Sequence, residues 1–130
     1  MRLLLDTHIF LWYVSGDPKL PTAFRAAIQS ASNETSLSVA SVWEAVIKQQ
    51  IGKLPLPAPA VDYLVRQRSS HGIAPLSVDE ESIRAFAILP PLHRDPFDRL
   101  IIAQAFQHGL TVVTVDAEFH PYGVPLLPPT

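Results

Sequence analysis

The sequence predicts an α/β fold of three layers with a largely parallel central sheet. Three observations carry this. Leu3-Leu4-Leu5 is a short apolar run closed by Asp6. Thr111-Val112-Val113-Thr114-Val115 is a second such run, β-branched throughout and closed by Asp116. Helical stretches separate these from each other and from two weaker strand segments, and strands alternating with helices favour a parallel sheet.

Taken in order, Leu3-Leu4-Leu5 reads as a buried strand. Residues 9–14 (Ile-Phe-Leu-Trp-Tyr-Val) are apolar on every side if helical, so that helix is either core, the plainer reading, or partly an interface. Residues 21–32 form an alanine-rich helical stretch. Ser36-Leu37-Ser38-Val39 is a weaker strand. Residues 41–51 form an amphipathic helix stopped by Gly52. A helix over 59–70 precedes the second weak strand, Ile73-Ala74-Pro75-Leu76. Helices over 79–89 and over 96–108, the latter stopped by Gly109, lead into the last strand. Eight of the 13 prolines cluster, at 55/57/59, at 90/91 and at 125/128/129, where they punctuate these segments.

A chain of 130 residues fits a single domain over 1–130, and a hydrophobic fraction of 48% can supply one core. The absence of cysteine excludes a disulfide scaffold and thiolate metal sites. Asp6 cuts the first apolar run too short for a signal peptide, and no run approaches the roughly 20 residues that span a bilayer. A soluble, cytoplasmic protein is expected. The net charge of −2 means that any grip on nucleic acid must come from local basic groups and bound cations.

Four carboxylates each have a structural explanation. Asp6 suits the N-cap of the helix after the first strand. Glu44 fits a capping box begun by Ser41. Asp98 fits the N3 position of a helix with Asp95 as N-cap and Pro96 at N1. Asp116 suits the cap of the turn Ala117-Glu118-Phe119. Together they point elsewhere. In an open parallel sheet, ligand sites lie beyond the carboxyl ends of the strands. Asp6 and Asp116 end strands there, and Glu44 and Asp98 open helices at the same edge. If the strands bearing Asp6 and Asp116 are neighbours, their backbones lie about 5 Å apart. Four acids in one region repel each other unless protonated or joined by a cation, and Mg²⁺ or Mn²⁺ suits oxygen ligands. Such a site can activate water against a phosphodiester. Asp6 and Asp116, fixed by strands, are the expected direct ligands; Glu44 and Asp98 ligate directly, act through water, or orient the attacking water.

The run Leu3-Leu4-Leu5-Asp6-Thr7-His8, followed by Ser38-Val39-Ala40-Ser41-Val42-Trp43-Glu44 and Lys48, resembles the first half of PIN-domain toxins of the VapC type. His93-Arg94-Asp95-Pro96-Phe97-Asp98-Arg99 with Ala103 and Ala105, then Val113-Thr114-Val115-Asp116-Ala117-Glu118-Phe119, resembles the second half. Nearly the whole chain is covered, with all four acids in order. The resemblance implies a ribonuclease using Mg²⁺ or Mn²⁺, neutralised by a cognate antitoxin and dimeric, with Asp98 as the third acid and Asp95 as a cap.

Other polar residues have double readings. Lys48 either pairs with Glu44 at i,i+4 or meets a substrate phosphate. Arg94 and Arg99 either contact RNA phosphates or pair with Asp95 or Glu44. Thr7, Ser38 and Thr114 either orient the acids or serve turns and strands. His8 and His93 lie near the supposed site, with a surface or core role the plainer expectation, and no His-x-x-x-His pair suggests zinc. An aspartyl phosphatase needs a second Asp where His8 stands, and a nucleotide site needs glycines absent after the first strand. The rival from another class is a PIN-like domain that binds RNA or protein without cutting.

Overall fold

The computed structural model describes residues 1–130. β1 (Arg2–Leu5), α1 (Thr7–Ser15), α2 (Thr22–Gln29), β2 (Glu34–Ser38), α3 (Val39–Gln50), α4 (Ala60–Ser70), β3 (Ala74–Leu76), α5 (Glu80–Ala87), α6 (Pro96–His108) and β4 (Thr111–Val113) follow one another, and a 3₁₀ helix closes the series at Ala117–Tyr122. The four strands form one all-parallel sheet in the order β3-β2-β1-β4. Helices cover both faces, as expected.

The alternation of β1 builds both layers. Leu3 and Leu5 join Phe10, Phe24, Leu37, Leu64 and Val113 in one core, whereas Leu4 joins Ile101, Ile102, Val112 and Phe119 in the other. All three leucines are completely buried. Each contributes about 1.5–3 kcal/mol of transfer free energy, so the central strand is held from both sides. On its far edge β4 is met by the proline-bearing tail: Val112 N–H donates to Pro125 O, and Leu127 N–H to Val112 O. That cover and its prolines blunt an edge otherwise open to pairing.

Several boundaries differ from expectation. β4 stops at Val113 because the Asp116 amide bonds to Thr114 Oγ1 at 3.0 Å, which turns the chain off the ladder. The helix expected from residue 41 begins at Val39, because Ser38 is its N-cap and accepts from the Ala40 amide. The alanine-rich helix α2 ends at Gln29, before Ser30 and Ser32. Within α1, Ile9 and Phe10 are buried, His8 is exposed, and Leu11 to Val14 are half-buried against the same core. No helix is long and apolar enough to cross a membrane.

Candidate active site

Parallel pairing puts the ends of all four strands on one edge, with Leu5 beside Leu37 and Val113. Asp6 follows Leu5 directly and is buried. Its backbone occupies the N-cap position of α1, but its side chain makes no cap bond. Oδ2 instead accepts from Thr114 Oγ1 at 2.7 Å. One threonine hydroxyl thus ties the first acid to the turn that carries the fourth. Burial pushes the Asp6 carboxyl up, against the Thr114 bond and His8, and Glu44 pushes it further.

Glu44 is 2% exposed on α3. The capping box with Ser41 does not form, because the helix has already begun at Val39. Glu44 Oε1 lies 2.7 Å from Thr7 Oγ1, which is also 2.8 Å from Ser41 Oγ. Oε2 receives the Lys48 ammonium, so the i,i+4 pair is formed. Burial disfavours the Lys48 charge, yet Glu44, aided by Asp95 and Asp98, raises its pKa overall.

Asp95 is the expected cap: its Oδ1 accepts from the amides of Phe97 and Asp98, and Pro96 opens α6. That leaves Asp98 free of capping duty in the first turn, 8% exposed. Its carboxyl is pushed up to about 8, first by burial and then by Asp6, Asp95, Glu44 and Asp116. All four acids singled out from the sequence are therefore felt at one point. Asp116 does both jobs open to it. Oδ1 caps the 3₁₀ helix through the Glu118 amide, while Oδ2 faces the cluster.

His93 corrects the expectation of a surface or core role. Its ring enters the cluster, with Nε2 3.0 Å from Asp98 Oδ2 and 3.4 Å from Asp116 Oδ2. Neither approach is aligned as a hydrogen bond, so buried Nε2 has no partner. One donor atom from each of His93, Asp98 and Asp116 falls within 4.8 Å of the others. The only hint in the sequence was its place two residues before the cap.

The remaining candidates divide. Thr7 and Thr114 touch the acids. Ser38 does not; its hydroxyl faces buried Gln104. Arg99 pairs with no acid and stacks on Phe86, Cζ 4.4 Å from the ring centroid. Arg94 is exposed and lines a cleft of about 530 Å³ with Leu92, His93, Asp95, Glu118 and Pro121. On the other flank, Trp43, Ile83, Phe86, Pro96, Phe97 and Leu100 line an apolar groove of about 220 Å³.

The family model for the PIN domain matches residues 3–124. Ribonuclease VapC22 of Mycobacterium tuberculosis is 32% identical over 120 residues, 88% of this chain and 86% of that protein. Ribonuclease VapC16 of the same organism is 44% identical over 55 residues, 42% of this chain and only 39% of that relative. VapBC2 from Rickettsia felis, solved bound to a DNA fragment from their promoter, matches with a TM-score of 0.70 at 15% identity over 98% of both chains. A toxin–antitoxin complex from Klebsiella pneumoniae matches with a TM-score of 0.63 at 18% identity, again over 98% of both. At these identities the structural likeness speaks for the fold.

Proposed function

This chain belongs to the PIN-domain family, and from that premise we propose that it is a metal-dependent endoribonuclease, the toxin of a toxin–antitoxin pair. The observation that carries the reading is the convergence of Asp6, Glu44, Asp98 and Asp116, with the Asp98 carboxyl held up to about 8. A carboxyl so placed loses its proton to solvent readily only when another positive charge takes the proton's place. The donor set therefore fits a hard divalent cation, Mg²⁺ or Mn²⁺, held directly by Asp6, Asp98 and Asp116 with Glu44 beside it. Bound there, such an ion supplies Lewis acidity, making a water more acidic and offsetting charge that develops on the phosphodiester.

The chain's own residues set the division of labour. The Thr114 bond fixes the Asp6 carboxylate in one rotamer, and the cap bond from the Glu118 amide does the same for Asp116. Both oxygens of Glu44 already have partners, in Thr7 and Lys48. Glu44 is accordingly the acid that orients a water, with Asp6, Asp98 and Asp116 as direct ligands. Arg94, exposed and without an acidic partner, is the candidate to meet an RNA phosphate.

Relatives named ribonucleases support RNA as substrate, and the toxin–antitoxin complex among the structural neighbours supports an antitoxin partner. The apolar groove beside Trp43 and Phe97 suits an antitoxin segment that could then extend a basic side chain towards the acids. A homodimer, action in the cytoplasm and one domain spanning residues 1–130 complete the proposal. Single-stranded RNA incubated with antitoxin-free protein tests it. Cleavage in Mg²⁺ or Mn²⁺ that EDTA abolishes is expected. Binding that persists in EDTA, with no cleavage under any condition, favours the binding-only domain.

A further inference from the structure

His93 stands outside the all-oxygen set just described, yet its geometry is that of a ligand. The side chain is 10% exposed, and Nε2 is buried, unpartnered and directed at Asp98 and Asp116. Two adjacent ligands of an octahedral ion at about 2.1 Å stand about 3.0 Å apart. The separations of 3.0 Å and 3.4 Å from Nε2 to the two Oδ2 atoms match that edge without any large movement. At Nδ1 two groups compete. The Asp95 amide, at 3.2 Å, donates to a bare nitrogen; the Glu118 carboxylate, at 3.0 Å, accepts from a protonated one. The second tautomer leaves the Nε2 lone pair facing the acids. A carboxylate behind the ring holds that tautomer and raises the basicity of the ligating nitrogen.

We propose that His93 Nε2 is a nitrogen ligand of the cation held by Asp98 and Asp116, with Glu118 behind it, and that the site therefore favours Mn²⁺ over Mg²⁺. Imidazole nitrogen suits transition ions, whereas Mg²⁺ takes oxygen almost exclusively. The inference rests on the metal-dependent reading above.

Pulsed electron paramagnetic resonance of the Mn²⁺-loaded protein tests it without any cleavage assay. A ¹⁴N modulation from a directly bound nitrogen is expected, and it should change to the ¹⁵N pattern when only histidine is ¹⁵N-labelled. In His93→Ala, checked for folding by circular dichroism, the modulation should vanish. Mn²⁺ affinity should then fall on the order of 10–100-fold and Mg²⁺ affinity on the order of threefold or less; Glu118→Gln should weaken Mn²⁺ by about tenfold. Tightly bound Mn²⁺ with no nitrogen modulation, or equal losses for both ions in His93→Ala, overturns the ligand assignment and leaves the carboxylate site standing. Wild-type protein that binds neither ion defeats both. If His93→Ala fails to fold, the labelled wild type still decides whether a histidine binds the ion, and His8→Ala, at the exposed histidine near Asp6, should leave the modulation unchanged; its loss there would overturn the assignment to His93.

Discussion

Replacing Asp98 by Asn should stabilise the metal-free protein, and the gain should grow with pH. The carboxyl is held at about 8 in the fold against an ordinary 3.8. A raised acid pKa means the folded state prefers the protonated form. That contribution is complete below about pH 4, where folded and unfolded chains both carry the proton, and it is lost as pH rises towards 8. Each pH unit in that window costs about 1.4 kcal/mol, so the full span sets a ceiling of about 6 kcal/mol. Asp6, whose carboxyl is also raised in this cluster, shares the effect, which brings the expected gain to about 2–4 kcal/mol at pH 8. Asn carries no charge and keeps the shape, so the variant escapes this loss. Urea unfolding in EDTA at each unit from pH 4 to 8, wild type beside Asp98→Asn, gives the difference directly, and other titrating groups largely cancel. A difference that does not change with pH would show that Asp98 is a plain N3 acid favouring the helix dipole, and the electrostatic argument would fail.

Other consequences follow from the supporting bonds. Thr114→Val removes the hydroxyl that joins Asp6 to the Asp116 turn; a loss of about 1–3 kcal/mol in denaturant unfolding and at least tenfold slower RNA cleavage are expected. Lys48→Met leaves buried Glu44 without its counter-charge; because Lys48 is itself a third exposed, the cost should be about 1–3 kcal/mol, read from thermal melts at pH 7. Ser38→Ala should cost about 0.5–2 kcal/mol in urea unfolding as the loss of a cap, and unchanged stability would remove Ser38 from that role. Light scattering of the chain alone should give a dimer at micromolar concentration, and a monomer there would remove the half-buried face of α1 as an interface.

The fold was legible because its signals are local. β1 reads as a strand from its apolar run and β4 from its β-branched composition, and their parallel pairing followed from the helices between them. The acids were legible because the strand-end rule places Asp6 and Asp116 on one edge without coordinates. Short polar side chains were harder. Ser38 and Ser41 suit the N-cap equally by type, and which one caps depends on where β2 releases the chain. Thr114 lies in a β-branched run, so nothing local shows that its hydroxyl turns the strand away. His93 lies in the segment between α5 and α6, where no periodicity constrains it. Its ring meets Asp116 and Glu118 only through contacts more than twenty residues distant.

The most direct test of the central claim is the initial rate of RNA cleavage against free Mg²⁺ or Mn²⁺, for wild type and for the Asp6→Asn and Asp98→Asn variants. The account predicts saturable dependence on the ion in the wild type and no rate in EDTA. Both variants should remain folded and lose on the order of 10²-fold or more in rate, since each removes a negative ligand from the ion that does the chemistry. Cleavage undiminished in EDTA, or wild-type rates from folded Asp98→Asn, would contradict it.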